Sequence, residues 1–136
     1  MLKTPPASHL MMIEIRDENV DGGYFPIGNC QFHNLDWRCR AGEIGIMIGE
    51  KEYWNQGYGA KTMKLLLKHG FESLNLHRIG LRVYSKNKRG IRAYEKAGFV
   101  YEGMFRQAHY QHVRYYDAHL MSVLRDEWND LTSEDK

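Results

Sequence analysis

Apolar and polar positions alternate with a period of two over the first third of the chain. Residues 10–16 (LMMIEIR) predict a strand, and residues 24–33 (YFPIGNCQFH) a second whose Pro26 suits an edge or a bulge. Residues 42–50 (GEIGIMIGE) predict a third, with Ile44, Ile46 and Ile48 on one face. Between them lie turns at 17–23, where Asp21-Gly22-Gly23 supplies positive φ angles, and at 34–41. The period then changes. Over 56–72, Ala60, Met63, Leu66, Leu67 and Gly70 recur at helical spacing, with Lys61, Lys64 and Lys68 on the opposite face. Residues 77–84 (HRIGLRVY) return to a strand, 88–97 predict a short helix closed by Gly98, and 99–107 with 114–124 predict two strands paired around Gln111-His112-Val113.

The order is therefore three strands, helix, strand, helix, two strands. The first three strands should form an antiparallel meander. The strand–helix–strand unit that follows predicts parallel pairing with a right-handed crossover. The expectation is an α/β (α+β) single domain, one mixed sheet with helices on its faces, over residues 10–128. Residues 1–9, with Pro5-Pro6, read as a loose tail and 129–136 as a polar one; in RDEWNDLTSEDK only Trp128 is a candidate to pack back.

Composition narrows the class. The chain has 136 residues, 43% hydrophobic and 26% charged, which fits one domain and excludes a disordered chain. No apolar run approaches the ~20 residues of a membrane span, and the start reads as no secretory signal. A net charge of +2 gives no reason to expect bulk nucleic-acid binding. Local charge is more telling: Arg78, Arg82, Lys86, Lys88, Arg89 and Arg92 fall within 78–92 without an acid. That run is either a solvated face or a seat for a phosphorylated ligand. Two cysteines, Cys30 and Cys39, make no disulfide framework, point to a reducing cytoplasm, and with His33 lack a fourth ligand for zinc; no metal is expected.

The chemistry-bearing segment is Trp54-Asn55-Gln56-Gly57-Tyr58-Gly59-Ala60-Lys61. Gly57 and Gly59 strip side chains from the turn that opens the long helix. Free amides and the helix dipole there suit a phosphate or diphosphate. A P-loop fails because Ala60 intervenes before Lys61-Thr62, and the dinucleotide fingerprint fails because Thr62 stands at its third glycine.

That segment resembles the acetyl-CoA loop of GNAT N-acetyltransferases. Ser85-Lys86-Asn87-Lys88-Arg89-Gly90-Ile91-Arg92-Ala93-Tyr94-Glu95-Lys96-Ala97-Gly98-Phe99 is similar to the same family's second block. Tyr101 to Arg106, Tyr116-Asp117 and Met121 to Trp128 resemble the branch holding ribosomal-protein N-terminal and spermidine acetyltransferases. The resemblance covers residues 10–128. It implies transfer of an acetyl group from acetyl-CoA to a primary amine (a peptide N-terminus, a polyamine or another small amine) by direct attack. The alternative is a CoA-binding module without turnover.

By the same resemblance, backbone amides of Gln56, Gly57, Tyr58, Gly59, Ala60 and Lys61 would hold the diphosphate. Ile46, Met47 and Ile48 would pair with the pantetheine arm and polarise the thioester carbonyl. Asn87 would bond the pantetheine region, and Arg89 within the basic run would meet the 3′-phosphate. Tyr94 would protonate the leaving thiolate, and Glu43 is the candidate base. The plain alternatives are a core tyrosine for Tyr94 and a solvated strand-end carboxylate for Glu43. Tyr115, Tyr116 and Asp117 are either acceptor-site residues or strand surface.

Three departures from the family pattern stand out. Trp54 opens the loop where Arg or Gln is usual. His112-Val113 replaces the usual Asp-Gly at the hairpin tip. The first strand and two helices that wall the acceptor site have no counterpart ahead of residue 10: either this is a fragment or short form, or another chain completes the site, and the apolar surface a missing wall exposes argues for self-association as a homodimer.

Overall fold

The computed structural model describes residues 8–16, 18–19, 22–49 and 57–134. Six strands form one mixed sheet: β1 (His9–Arg16), β2 (Tyr24–Asp36), β3 (Ala41–Ile48), β4 (Arg78–Tyr84), β5 (Val100–Gln111) and β6 (Arg114–Leu124). Helix α1 (Tyr58–Lys68) follows β3, α2 (Lys88–Lys96) follows β4 and α3 (Arg125–Glu134) ends the chain. The spatial order is β1-β2-β3-β4-β6-β5. Only β3 and β4 run parallel; every other pair is antiparallel. The meander, the crossover and the hairpin all form as the periodicity predicts, with β2 and β5 each a few residues longer.

One face of the sheet carries the core. Phe32, Ile44, Ile79, Leu81, Met121 and Val123 are buried there against Met63, Leu66 and Leu67 of α1. Ala60, expected in that stripe, is exposed instead. The long helix ends at Lys68 and widens into a π-helical turn, His69–Ser73. Gly70 lies in that turn so close to the sheet that a Cβ would meet Ile79 Cδ1 at 2.6 Å and the Phe32 ring at 3.0 Å. Gly98 has φ 106°, the left-handed geometry its place after α2 requires.

The polar tail is corrected to a helix. Residues 125–134 form α3, although the segment has no apolar stripe. Tertiary contacts hold it: Trp128 stacks on Phe71 (5.2 Å, 29°), and Arg125 donates to the carbonyls of Phe71 and Leu76. Glu127 accepts from the Leu124 N–H at 2.9 Å, and Asp126 with Glu127 suit the positive end of a helix. That acidic start is the sequence signal that could have revealed it.

The expected helices flank the sheet, and all three sit on one face. Ala60 and Met63 of α1 share a cleft with Ala93 and Tyr94 of α2. Leu67 of α1 shares a hollow with Trp128 and Leu131 of α3. Among the described residues, no helix covers the other face, which carries Glu43, Arg82 and Tyr84.

Candidate active site

The sheet opens at its middle. Pairing between β3 and β4 stops at Glu43 and Gly80, although both strands continue. Beyond that rung β3 pairs only with β2 among the described strands. The Gly49 N–H bonds Ile27 O at 2.9 Å, so by the two-residue period Ile46 turns its own N–H and C=O the other way, toward the gap.

The gap leads into a cleft of about 500 Å³ on the helical face. Ile46, Met47 and Ile48 form one wall, Gly57, Gly59 and Ala60 the mouth of α1, and Asn87, Arg89 and Tyr94 the α2 side. Of the thirteen residues read from the sequence as candidates, nine, drawn from three separate segments, line this cleft. Gly57, at φ 82°, caps α1 with no side-chain hydrogen bond, and no acid stands in the first turn. A Cβ on Gly57 or Gly59 would meet nothing within 4 Å, so both glycines face open space. The amides of Gly59 and Ala60 have no intrahelical acceptor. A helix start bare of side chains and of negative charge fits a diphosphate.

Four candidates fall elsewhere. Gln56 lies outside the described residues. The Lys61 N–H closes the first helical turn on Gly57 O at 3.0 Å, so it offers nothing to a ligand. The Tyr58 and Lys61 side chains line a different hollow, of about 590 Å³, between β1 and α1. Glu43 stands at the parting of the strands, outside the cleft lining. Its carboxylate accepts from Asn34 and from Arg82 Nε at 2.9 Å. Burial pushes this carboxyl up, but the hydrogen bonds from Asn34 and Arg82, with the Arg82 charge, outweigh it and hold Glu43 below the usual range. A carboxylate so engaged is a weakened base.

Tyr94 lines the cleft from the α2 side. Its ring packs edge-on to Phe99 at 5.9 Å, and burial pushes its phenol above the usual value, so it keeps its proton at neutral pH. Asn87 caps α2 by accepting from the Gly90 N–H at 2.9 Å, which leaves its amide NH₂ as the group it can offer.

The basic run does not act as one seat. Arg78 pairs with Glu102, Arg82 with Glu43, Lys86 lies over the Tyr116 ring at 4.9 Å, and Arg89 reaches the cleft. Arg82 is the neighbour sequence reasoning missed; its other contact is the Phe105 ring at 4.8 Å. Strand alternation places Arg82 on the face of Glu43, but no sequence signal gives the pairing. Of the three hairpin residues left open above, Tyr115 is exposed against Tyr110, Asp117 accepts from the Gln107 N–H, and Tyr116 lines a small hollow.

A mixed sheet parted between two parallel strands, with a side-chain-poor helix start at the gap, defines an α/β fold. The comparisons make the class specific. A family model, acetyltransferase (GNAT) domain, matches residues 3–100, and the chain belongs to that family. It is 35% identical over 99 residues to the uncharacterized N-acetyltransferase YoaA of Bacillus subtilis (strain 168), covering 73% of this chain and 55% of that protein. It is 32% identical over 101 residues to the putative ribosomal N-acetyltransferase YdaF of the same organism, covering 74% and 55%. A solved structure of spermidine/spermine N-acetyltransferase SpeG from Vibrio cholerae, in complex with manganese ions, superposes with a TM-score of 0.80 at 26% identity over 91% of this chain and 69% of that one. The chain thus spans about half the length of these curated relatives.

Proposed function

We propose that this protein transfers an acetyl group from acetyl-CoA to a primary amine by direct attack. The observation that carries the reading is the convergence of the parted strand at Ile46, the bare start of α1 and Tyr94 on one cleft. Family membership and N-acetyltransferase relatives support it.

Acetyl-CoA, when bound, supplies an activated thioester. The amides of Gly59 and Ala60 bind its diphosphate at the positive end of α1. Ile46 offers backbone groups to the pantetheine amides as an added strand would, and an N–H there is available to a thioester oxygen. Asn87 and Arg89 hold the α2 side. Tyr94 keeps a proton at Oη for the departing sulfur. Glu43, directly or through water, accepts the proton of the amine. No nucleophilic cysteine takes part; Cys30 is buried in the core.

The weakened Glu43 bears on the acceptor. An alkyl amine with pKa near 10.4 is neutral in about one molecule in a few thousand at pH 7, a deficit of about 4.6 kcal/mol at ~1.36 kcal/mol per unit. A good base recovers ~10²–10⁴ in rate. An α-amine, with pKa near 8, needs far less help.

A homodimer in a reducing cytoplasm completes the reading. Its support is the uncovered sheet face, the exposed Tyr101, Met104, Phe105 and Tyr110 of β5, and two free thiols. No described helix is long and apolar enough to cross a membrane.

The test is calorimetry with acetyl-CoA alongside thiol release over peptides, polyamines and aminoglycosides. Binding with release supports the reading. Binding without release over the whole panel would make the chain a CoA-binding module.

A further inference from the structure

On the sheet face away from the helices, at the open end of the gap, lies a second hollow of about 370 Å³ that the cofactor reading does not use. Tyr84, Lys86, Asn87, His109, Gln111 and Tyr116 line it. Asn87 also lines the cofactor cleft, so the two spaces share a wall. The end of β4 and the β5–β6 hairpin thus form a chamber next to the place where an acyl group would be presented.

The chemistry of this chamber is one-sided. Tyr84 and His109 stack with ring centroids 3.8 Å apart at 18°, a flat wall whose tyrosine stays 44% exposed. Lys86 holds its ammonium 4.9 Å from the Tyr116 ring centroid. Arg114 stands opposite Gln111 in the hairpin register, next to a lining residue. None of the six lining residues is a carboxylate. Among the described residues, Asp117 accepts from the Gln107 N–H and Glu43 from Arg82 and Asn34. Among the described lining residues a polycation entering here would meet Lys86 and no carboxylate, and like charges disfavour it. An anion would meet Lys86 and the amide donors of Asn87 and Gln111.

We propose that the acceptor is an amine carried beside an anionic group, its anion seated on Lys86 and its amine directed to the gap past Asn87. This inference rests on the acetyl-transfer reading and narrows its substrate class away from polyamines. Among acidic amines the amine arithmetic favours the peptide terminus, because the weakened Glu43 suits an α-amine better than an alkyl amine.

The test uses the full chain saturated with CoA, which cannot transfer, and three probes followed by calorimetry. These are a tetrapeptide with a free N-terminus and two aspartates, phosphoethanolamine, and spermidine. We expect at least one acidic amine to bind at least tenfold more tightly than spermidine, and the tighter of the two tells a peptide terminus from a small phosphorylated amine. Lys86→Glu should weaken that probe at least tenfold while CoA affinity stays within twofold, which also reports an intact fold. Spermidine bound as tightly as the acidic probes, no binding of any probe, or an indifferent Lys86→Glu would overturn this inference alone. No heat with CoA would remove the acetyl-transfer reading, and this one with it.

Discussion

Arg82 gives its Nε–H to Glu43 at 2.9 Å across the point where β3 and β4 part. The pair ties the two strands just where their backbones stop doing so, with the Phe105 ring beneath the guanidinium. It fixes the vertex of the gap, and its charge and hydrogen bond help hold the carboxyl below the usual range, which weakens it as a base.

Glu43→Gln should therefore lower kcat/KM by about 10- to 100-fold, at or below the lower end of the ~10²–10⁴ that a positioned base contributes. A loss near ~10⁴ would show a fully effective base. Steady-state rates with one N-terminal peptide decide between them.

The same carboxyl predicts a pH dependence of stability. Its folded pKa is depressed, so the stability it contributes is present above the unfolded value, roughly pH 4.3, and is lost as pH falls toward and through the folded value. The difference in Tm between the wild type and Glu43→Gln should be constant from pH 7 to about 5 and shrink below about 4.3. A gap that persists at pH 3 would assign the effect to packing.

Tyr94→Phe removes the phenol and keeps the ring against Phe99. We expect kcat to fall about 10²-fold or more with acetyl-CoA affinity unchanged. Unchanged turnover would return Tyr94 to a packing role.

The hairpin tip is strained. His112 and Val113 both take positive φ, 52° and 61°, the geometry of a type I′ turn that favours Asn-Gly. Val113 is 84% exposed, so its side chain contributes little packing. Replacing the pair by Asn-Gly should raise stability by about 1 kcal/mol in denaturant unfolding. A destabilised double variant would mean that the tip contacts something in solution.

Most of the frame was legible because period and punctuation agreed. Ile44, Ile46 and Ile48, the stripe Met63-Leu66-Leu67 and the turn glycines each specified their element locally. Helix α3 was not legible, since its stability comes from Trp128 on Phe71 and Arg125 on two carbonyls, contacts 49 to 57 residues apart in sequence. In the site, Tyr94 and Gly59 were readable by motif. The Glu43–Arg82 pair was not, because it depends on where β4 stops pairing with β3, a property of the assembled sheet.

The central claim is that the start of α1 holds a diphosphate. Ala60 is exposed on the cleft, and a carboxylate there suits the helix dipole but repels an anion. Calorimetric titration of acetyl-CoA into the wild type and Ala60→Glu is the most direct measurement. We predict saturable one-site binding by the wild type and at least tenfold weaker binding by the variant, whose Tm is equal or higher. No binding by the wild type, or equal affinity in both, would contradict the account.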